Sequence, residues 1–155
     1  MINYKVGNIL YCTEDIICQQ VNHQGVMRAG LANQIANKYP DIVKGYRRFC
    51  KTYPFEKIKD CGLVNFFEGD KLIANIFGQE YYGRDERYTD YEALTSGLET
   101  VWRVAVYDLL SIAIPYKIGC GLGGGDWNIV EGIIRNCFFD YEVTIYKLPK
   151  QVIIA

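Results

Sequence analysis

Histidine is almost absent from this chain, and its cysteines are unpaired in sequence. His23 is the single histidine in 155 residues, so no metal centre can be assembled from several imidazoles. The six cysteines, Cys12, Cys18, Cys50, Cys61, Cys120 and Cys137, are scattered and form no Cys-x-x-Cys pair. That spacing argues against a disulfide framework or a zinc site and for free thiols in a reducing compartment. An excess of either charge is also missing, with 17 basic residues against 18 acidic ones. A nucleic-acid carrier usually shows a basic excess or patch, so the balance gives no sign of non-specific nucleic-acid binding. A small anionic ligand stays open, because backbone N–H groups hold phosphate without net positive charge. No run approaches the ~20 apolar residues that cross a bilayer. The opening residues 1–12 are short, mixed and strand-like, without the apolar core of a signal peptide. The expectation is a cytoplasmic, monomeric protein with no membrane partner, no metal and no cofactor.

What is present is a globular composition, with 50% hydrophobic residues, enough for one sizeable core. The length fits a single domain over residues 1–155. Strand and helix signals alternate, with no repeat, low-complexity tract or linker. Residues 1–5 and 15–21 read as strands. Residues 29–38 and 41–51 read as helices separated by Pro40, the second with Ile42, Val43, Tyr46 and Phe49 at helical spacing. Residues 62–67 and 71–77 are apolar runs of strand length joined by a Glu68-Gly69-Asp70 turn, a hairpin. Thr89-Asp90-Tyr91-Glu92 has the form of a capping box, with Thr89 as the cap, and Tyr91, Leu94, Leu98, Val101, Trp102 and Ala105 follow on one apolar face. Residues 109–115 read as a buried strand, 127–137 as a helix capped by Asp126, and 141–148 as a strand that closes the sheet. The order β-β-α-α-β-β-α-β-α-β predicts an α/β fold with a mixed or parallel sheet and helices on both faces. Ligands of such sheets sit outside the carboxyl ends of the strands.

Two loops leave strands at those ends and open helices. The first is Gln19-Gln20-Val21-Asn22-His23-Gln24-Gly25-Val26-Met27-Arg28-Ala29-Gly30-Leu31-Ala32. Gly25 and Gly30 permit close backbone approach, and the helix start supplies free N–H groups and partial positive charge. An ordinary strand-to-helix turn explains the same glycines. Asn22 can bond a ribose hydroxyl through its amide or hold the loop as an Asx-turn. His23 reads as a solvated loop residue rather than a catalytic one. The second loop, Ile118-Gly119-Cys120-Gly121-Leu122-Gly123-Gly124-Gly125-Asp126-Trp127, holds five glycines within seven residues. So many glycines cost conformational entropy on folding; a backbone wrapped around an anion justifies them better than a plain connection does. No Gly-Lys-Ser/Thr follows, so it is not a P-loop. Asp126 is a helix cap on one reading and a carboxylate that polarises a ribose hydroxyl or water on another.

These motifs, with the entry segment Val6-Gly7-Asn8-Ile9-Leu10 and the terminal strand at 141–148, resemble the macro domain family, which binds ADP-ribose. The resemblance covers nearly the whole chain in order. Within the family the chain is similar to the branch of ADP-ribose 1''-phosphate phosphatases and terminal ADP-ribose glycohydrolases, through Gly25-Val26-Met27, Lys38-Tyr39-Pro40 and Tyr91-Glu92-Ala93-Leu94. It implies a three-layer α/β/α sandwich around a mixed, mostly parallel sheet of about six strands. It also implies ADP-ribose, or an ADP-ribosylated macromolecule, as partner. Activity would be hydrolysis of an ADP-ribose derivative, with a non-catalytic reader as the alternative. Carried over by position, Asn8 and Ile9 lie near the adenine and Asn22 at the distal ribose. Gly25, Met27, Gly30, Leu31 and Ala32 line the first loop's side, and Gly119, Gly121, Leu122, Gly123, Gly124 and Gly125 the second. Asp126 and Asn22 become the catalytic candidates. The lysine that the glycohydrolase branch uses is replaced by Gln79, whose amide cannot form a Schiff base. The histidine that the phosphatase branch can carry before the loop asparagine is replaced by Gln19 and Gln20. The segment 81–88 reads either as a cover over the distal ribose, with Arg84 or Arg87 toward phosphate, or as a solvated connection.

Overall fold

A computed structural model describes residues 1–149. The predicted three-layer α/β/α sandwich is present. Six strands form one sheet: β1 (Ile2–Val6), β2 (Ile16–Gln20), β3 (Val64–Glu68), β4 (Leu72–Ile76), β5 (Ile112–Pro115) and β6 (Val143–Lys147), in the order β1-β6-β5-β2-β4-β3. All neighbours run parallel except β3, which pairs antiparallel with β4 as the predicted hairpin. The last strand does not close the sheet, as the sequence suggested. It lies between β1 and β5, and β1 takes the edge.

Five helices cover the two faces: α1 (Gly30–Lys38), α2 (Ile42–Thr52), α3 (Phe55–Cys61), α4 (Tyr91–Asp108) and α5 (Trp127–Cys137). β2 shows why both faces need cover. Ile17 packs with Ile35, Ile42, Tyr46, Phe55 and Ile58 of α1, α2 and α3. Ile16 and Cys18 point the other way, onto Leu94, Leu98, Val130 and Ile134 of α4 and α5. Side chains alternate along a strand, so a central parallel strand buried on both sides reads as a continuous apolar run.

Two local expectations are corrected. α3 has no counterpart in the sequence reading. It is a two-turn helix after Pro54, ended by Gly62 at φ 62, with the Thr100 hydroxyl of α4 donating to the Gly62 carbonyl at 2.5 Å. Thr89 is not the cap of α4. Asp90 is, its carboxylate accepting from the Ala93 N–H at 3.0 Å and pairing with Lys59 of α3 at 2.8 Å. Glu92 turns to the same lysine instead of back toward Thr89.

Cys12 and Cys18 are buried, Cys50, Cys120 and Cys137 are half-buried, and Cys61 is exposed. Burial pushes the Cys18 thiol up to about 12. No helix among the described residues is long and apolar enough to cross a membrane.

Gly97 of α4 lies directly over Ile76 of β4, where a side chain would overlap the buried Ile76 Cγ2. Overpacking of a full core costs ~1–3 kcal/mol, whereas the helix-propensity gain over glycine is only about 0.5 kcal/mol for valine. Gly97→Val is therefore expected to lower the urea midpoint by a net ~1–2 kcal/mol of stability with an unchanged m-value.

Candidate ligand cleft

β2, β4 and β5 are parallel, so Gln20, Ile76 and Pro115 end at one edge of the sheet. From β2 the chain continues through α1, α2 and α3 to strands on one side, while β5 lies on the other side, under α4 and α5. That reversal opens a crevice in open α/β sheets. A cavity of about 610 Å³ occupies it here, walled by the first loop, the second loop and the segment after β4. Its size is that of a small-molecule site.

Backbone amides furnish two of its walls. α1 begins at Gly30 with Ala29 as N-cap and no side-chain capping bond. The N–H groups of Gly30, Leu31 and Ala32 have no acceptor among the described residues, and all three residues line the cavity. The same holds for Gly121, Leu122 and Gly123 in the second loop. A helix start with free N–H groups is an anion site by geometry and by dipole. The second loop keeps its shape through the amides of Gly124, Gly125 and Cys120, which donate to Gly121, Gly119 and Lys117. Gly119 and Gly124 adopt φ 73 and 72, and a Cβ on Gly123 would lie 2.6 Å from the Thr89 hydroxyl. Glycine is required there by conformation and by space.

Among the described residues the charged side chains on the cavity wall are Arg28, Arg84 and Lys117, and no Asp, Glu or His lines it. Strand order spreads the three cations: Arg84 follows β4, Arg28 follows β2 and Lys117 follows β5. Lys117 sits at φ 60, a left-handed value unusual for a residue with a side chain. Of the two arginines considered in segment 81–88, Arg84 lines the cavity, together with Tyr82, while Arg87 stacks over the Tyr91 ring at 4.6 Å.

A polar knot forms the floor. Gln20 Nε2 donates to Gln79 Oε1 and to the Thr89 hydroxyl, both at 2.8 Å, and that hydroxyl donates to the Gly119 carbonyl at 2.7 Å. The Tyr88 and Thr89 amides both donate to the Gly123 carbonyl, at 2.8 and 3.0 Å. Gln19 and Gln20 each keep a buried side-chain oxygen without a partner.

Of the residues singled out in the sequence, Asn22, Gly30, Leu31, Ala32, Gly119, Gly121, Leu122 and Gly123 are brought together on the wall. The others are not. Asn8 caps a 3₁₀ turn (Ile9–Tyr11), and Ile9 is buried in the core. Gly25 and Met27 are buried behind the first loop, Met27 within the core. Gly124 packs on the Arg87 backbone and Gly125 on the Gly119 carbonyl. Asp126 is exposed and outside the wall; its carboxylate caps α5 by accepting from the Asn128 N–H at 2.9 Å. It also raises the Cys120 thiol, which burial first and Asp126 second push up to about 11, so no thiolate nucleophile is at hand near neutral pH.

Asn22 carries the Asx-turn. Its side-chain oxygen accepts from the Gln24 N–H at 2.9 Å and its nitrogen donates to the Val26 carbonyl at 2.9 Å. The buried Tyr46 hydroxyl of α2 bonds the Asn22 carbonyl and side-chain oxygen at 2.6 and 2.9 Å. His23 is half-buried and does not line the cavity. Its ring bonds the Tyr53 carbonyl at 2.7 Å and packs edge-on against Phe55 and Phe77. Arg28, Lys117, Gln20 and Tyr46 were missed in the sequence. Arg28 and Lys117 sat inside the quoted or flanking loop segments and were signalled only by their charge. Tyr46→Phe takes its donor from the Asn22 carbonyl, while the side-chain oxygen keeps the Gln24 N–H, and such a loss costs ~1–2 kcal/mol. The expected outcome in denaturant melts is destabilisation of that size, with faster amide exchange across residues 22–26.

No family model matches the chain. The DNA ADP-ribosyl glycohydrolase of Mycobacterium tuberculosis is 29% identical over 154 residues, which cover 94% of this chain and 42% of that protein. The chain thus spans less than half the length of the first curated relatives it matches. The ADP-ribose 1''-phosphate phosphatase of Saccharomyces cerevisiae is 25% identical over 174 residues, covering 95% of this chain and 98% of that one. In three dimensions, the macrodomain of Mycobacterium tuberculosis DarG superposes with a TM-score of 0.78 at 26% identity, covering 94% of this chain and 97% of that structure. The chain has the three-layer fold of that macrodomain and is similar in sequence to both curated relatives.

Proposed function

We propose that the cleft binds ADP-ribose and that the protein hydrolyses an ADP-ribose derivative, either an ADP-ribosyl group on a macromolecule or ADP-ribose 1''-phosphate. The observation that carries the reading is the set of six backbone amides without an acceptor among the described residues, on Gly30, Leu31, Ala32, Gly121, Leu122 and Gly123, all residues that line one cavity. A diphosphate held between the two loops satisfies both sets at once. Arg28, Arg84 and Lys117 add charge around it, and the absence of a wall carboxylate leaves an anion unopposed. The relatives named for ADP-ribosyl glycohydrolase and ADP-ribose 1''-phosphate phosphatase activity support the same ligand. One hydrogen of the Asn22 amide is left for the distal ribose once Val26 is served. Preorganised amides stabilise charge that develops in a transition state without reorganising. We place the catalytic contribution there and not on Asp126, whose Oδ1 caps α5 and whose side chain is not among those lining the cavity. We further infer one domain across residues 1–155, a monomer, and a cytoplasmic location, the last supported by six free cysteines.

A second reading, an ADP-ribose reader without turnover, is favoured by one observation: among the described residues no Asp, Glu or His lines the cavity to act as general base. Calorimetry with ADP-ribose, paired with product analysis on ADP-ribose 1''-phosphate and on ADP-ribosylated substrates, separates the two. Arg28→Gln and Arg84→Gln are each expected to weaken binding roughly three- to tenfold, as for the loss of an exposed charge on phosphate. Asp126→Ala is expected to keep both binding and turnover while losing about 1 kcal/mol of stability with its cap. Turnover abolished by that change alone, with affinity intact, would return Asp126 to the chemistry. Binding without product on any linkage would leave a reader, and no ADP-ribose binding would remove both readings.

A further inference from the structure

β4 ends at Ile76 and α4 begins at Tyr91, so the fourteen residues 77–90 join them without a helix or strand of their own. Connections of ~12–15 residues are uncommon in a compact domain and usually serve as lids or binding loops. This one returns to where it left. The Asp90 N–H donates to the Gly78 carbonyl at 2.7 Å, and Gln79 and Thr89 form an antiparallel bridge. Close ends of this kind define an Ω-loop, and the segment 80–88 is its body.

The two feet of the loop stand on the two ligand loops. The Glu80 carbonyl accepts from the His23 N–H at 3.0 Å and from the Gln24 side-chain nitrogen at 3.2 Å, both in the first loop. At the other foot, the Tyr88 and Thr89 amides hold the Gly123 carbonyl of the second. Gly123 is itself one of the cavity residues whose amide lacks an acceptor. Between the feet, no backbone N–H of residues 81–87 has an acceptor among the described residues. Tyr81, Tyr82 and residues 84–87 are exposed. Exposed backbone without bonds is what low local stability consists of. The tip is nevertheless shaped. The Tyr88 hydroxyl donates to the Asp85 carboxylate, and Gly83 lies so near that hydroxyl that a Cβ would overlap it. Tyr82, Gly83 and Arg84 line the cavity. A plain solvated connection needs neither the ties to both ligand loops nor a place on the cavity wall.

We infer that residues 81–87 are a lid, hinged at Glu80 and Tyr88, that closes over the occupied cleft and carries Tyr82 and Arg84 onto the ligand. A diphosphate bonded to the loop amides steadies the ground on which both feet stand, and so couples occupancy to the lid. Arg84 brings positive charge to that anion, and the exposed Tyr82 ring gains a neighbour other than water. Closure expels water, which strengthens every electrostatic contact inside. Naming ADP-ribose as the ligand rests on the reading above; the lid itself requires only an anion on the loops.

Amide exchange of the full chain, read by mass spectrometry with and without saturating ADP-ribose, tests the lid. Residues 81–87 should exchange freely in the unliganded chain and ~tenfold or more slowly in the bound one, since closure removes the open state from which they exchange. Tyr82→Ala changes an exposed side chain and should leave the circular dichroism unchanged. In stopped-flow it should keep the association rate and speed ADP-ribose dissociation ~tenfold, because closure follows encounter. Three results would overturn the lid while leaving the ADP-ribose reading in place: exchange at 81–87 already as slow as in β4 without ligand, exchange unaltered by ADP-ribose that calorimetry shows to be bound, or an unaltered dissociation rate in Tyr82→Ala. Inorganic pyrophosphate is the second probe. Protection of 81–87 by pyrophosphate in a chain that does not bind ADP-ribose would uphold the lid and remove the ADP-ribose reading. Binding of neither ligand would remove both.

Discussion

The cleft depends on one side chain, that of Gln20. It leaves the last residue of β2 and bonds Gln79 beyond β4 and Thr89 before α4, and Thr89 in turn holds the Gly119 carbonyl beyond β5. Three chain segments far apart in sequence are thereby fixed to one another within the strand spacing of a sheet. Gly78 and Gly119 are glycines in part because the Gln20 amide occupies the space a side chain would need. Buried polar groups carry a large penalty when unpaired. The Gln20 nitrogen and the Thr89 hydroxyl are paired in the knot, and losing either bond would add to the cost already carried by the unpaired Gln20 oxygen.

From that floor the anionic character of the site follows without any unusual residue. Residues whose loop amides have no acceptor among the described residues line it from two sides, and cations arrive from three separate connections. Carboxylates are instead drawn to helix starts and ion pairs outside the cavity, Asp126 at α5 and Asp90 at α4. The division is electrostatically consistent, since a helix start attracts negative charge whether from a side chain or from a ligand. α5 meets that demand with its own aspartate. α1 has no side-chain cap and leaves the place open.

Much of this architecture was legible in the sequence. The alternation of strand and helix signals, the hairpin at residues 68–70 and the glycine density at 119–125 are local properties, and the structure keeps them. α3 escaped because seven residues with four charges between Pro54 and Gly62 give no clear period. Thr89 was mistaken for a cap because a capping box is defined by spacing, while its hydroxyl is claimed by Gln20 and Gly119 from other strands. Asn8 caps a 3₁₀ turn, Ile9 and Met27 lie in the core, Gly25 is buried, Gly124 and Gly125 pack on neighbouring loops and Asp126 caps α5. Motif membership fixes position along the chain; direction of a side chain is decided by partners elsewhere. The cations were illegible as a group for the same reason, since only strand order brings Arg28, Arg84 and Lys117 to one wall.

The cysteines have a practical side. Five of the six are partly or wholly covered, and burial raises all five thiols above their ordinary value; only Cys61, at the end of α3, is exposed. Alkylation of the native protein near neutral pH therefore has one open target, at the end of α3. The remaining thiols become reactive only as the layers separate. The chain thus contains both a handle for a single dye and an internal clock for its own opening.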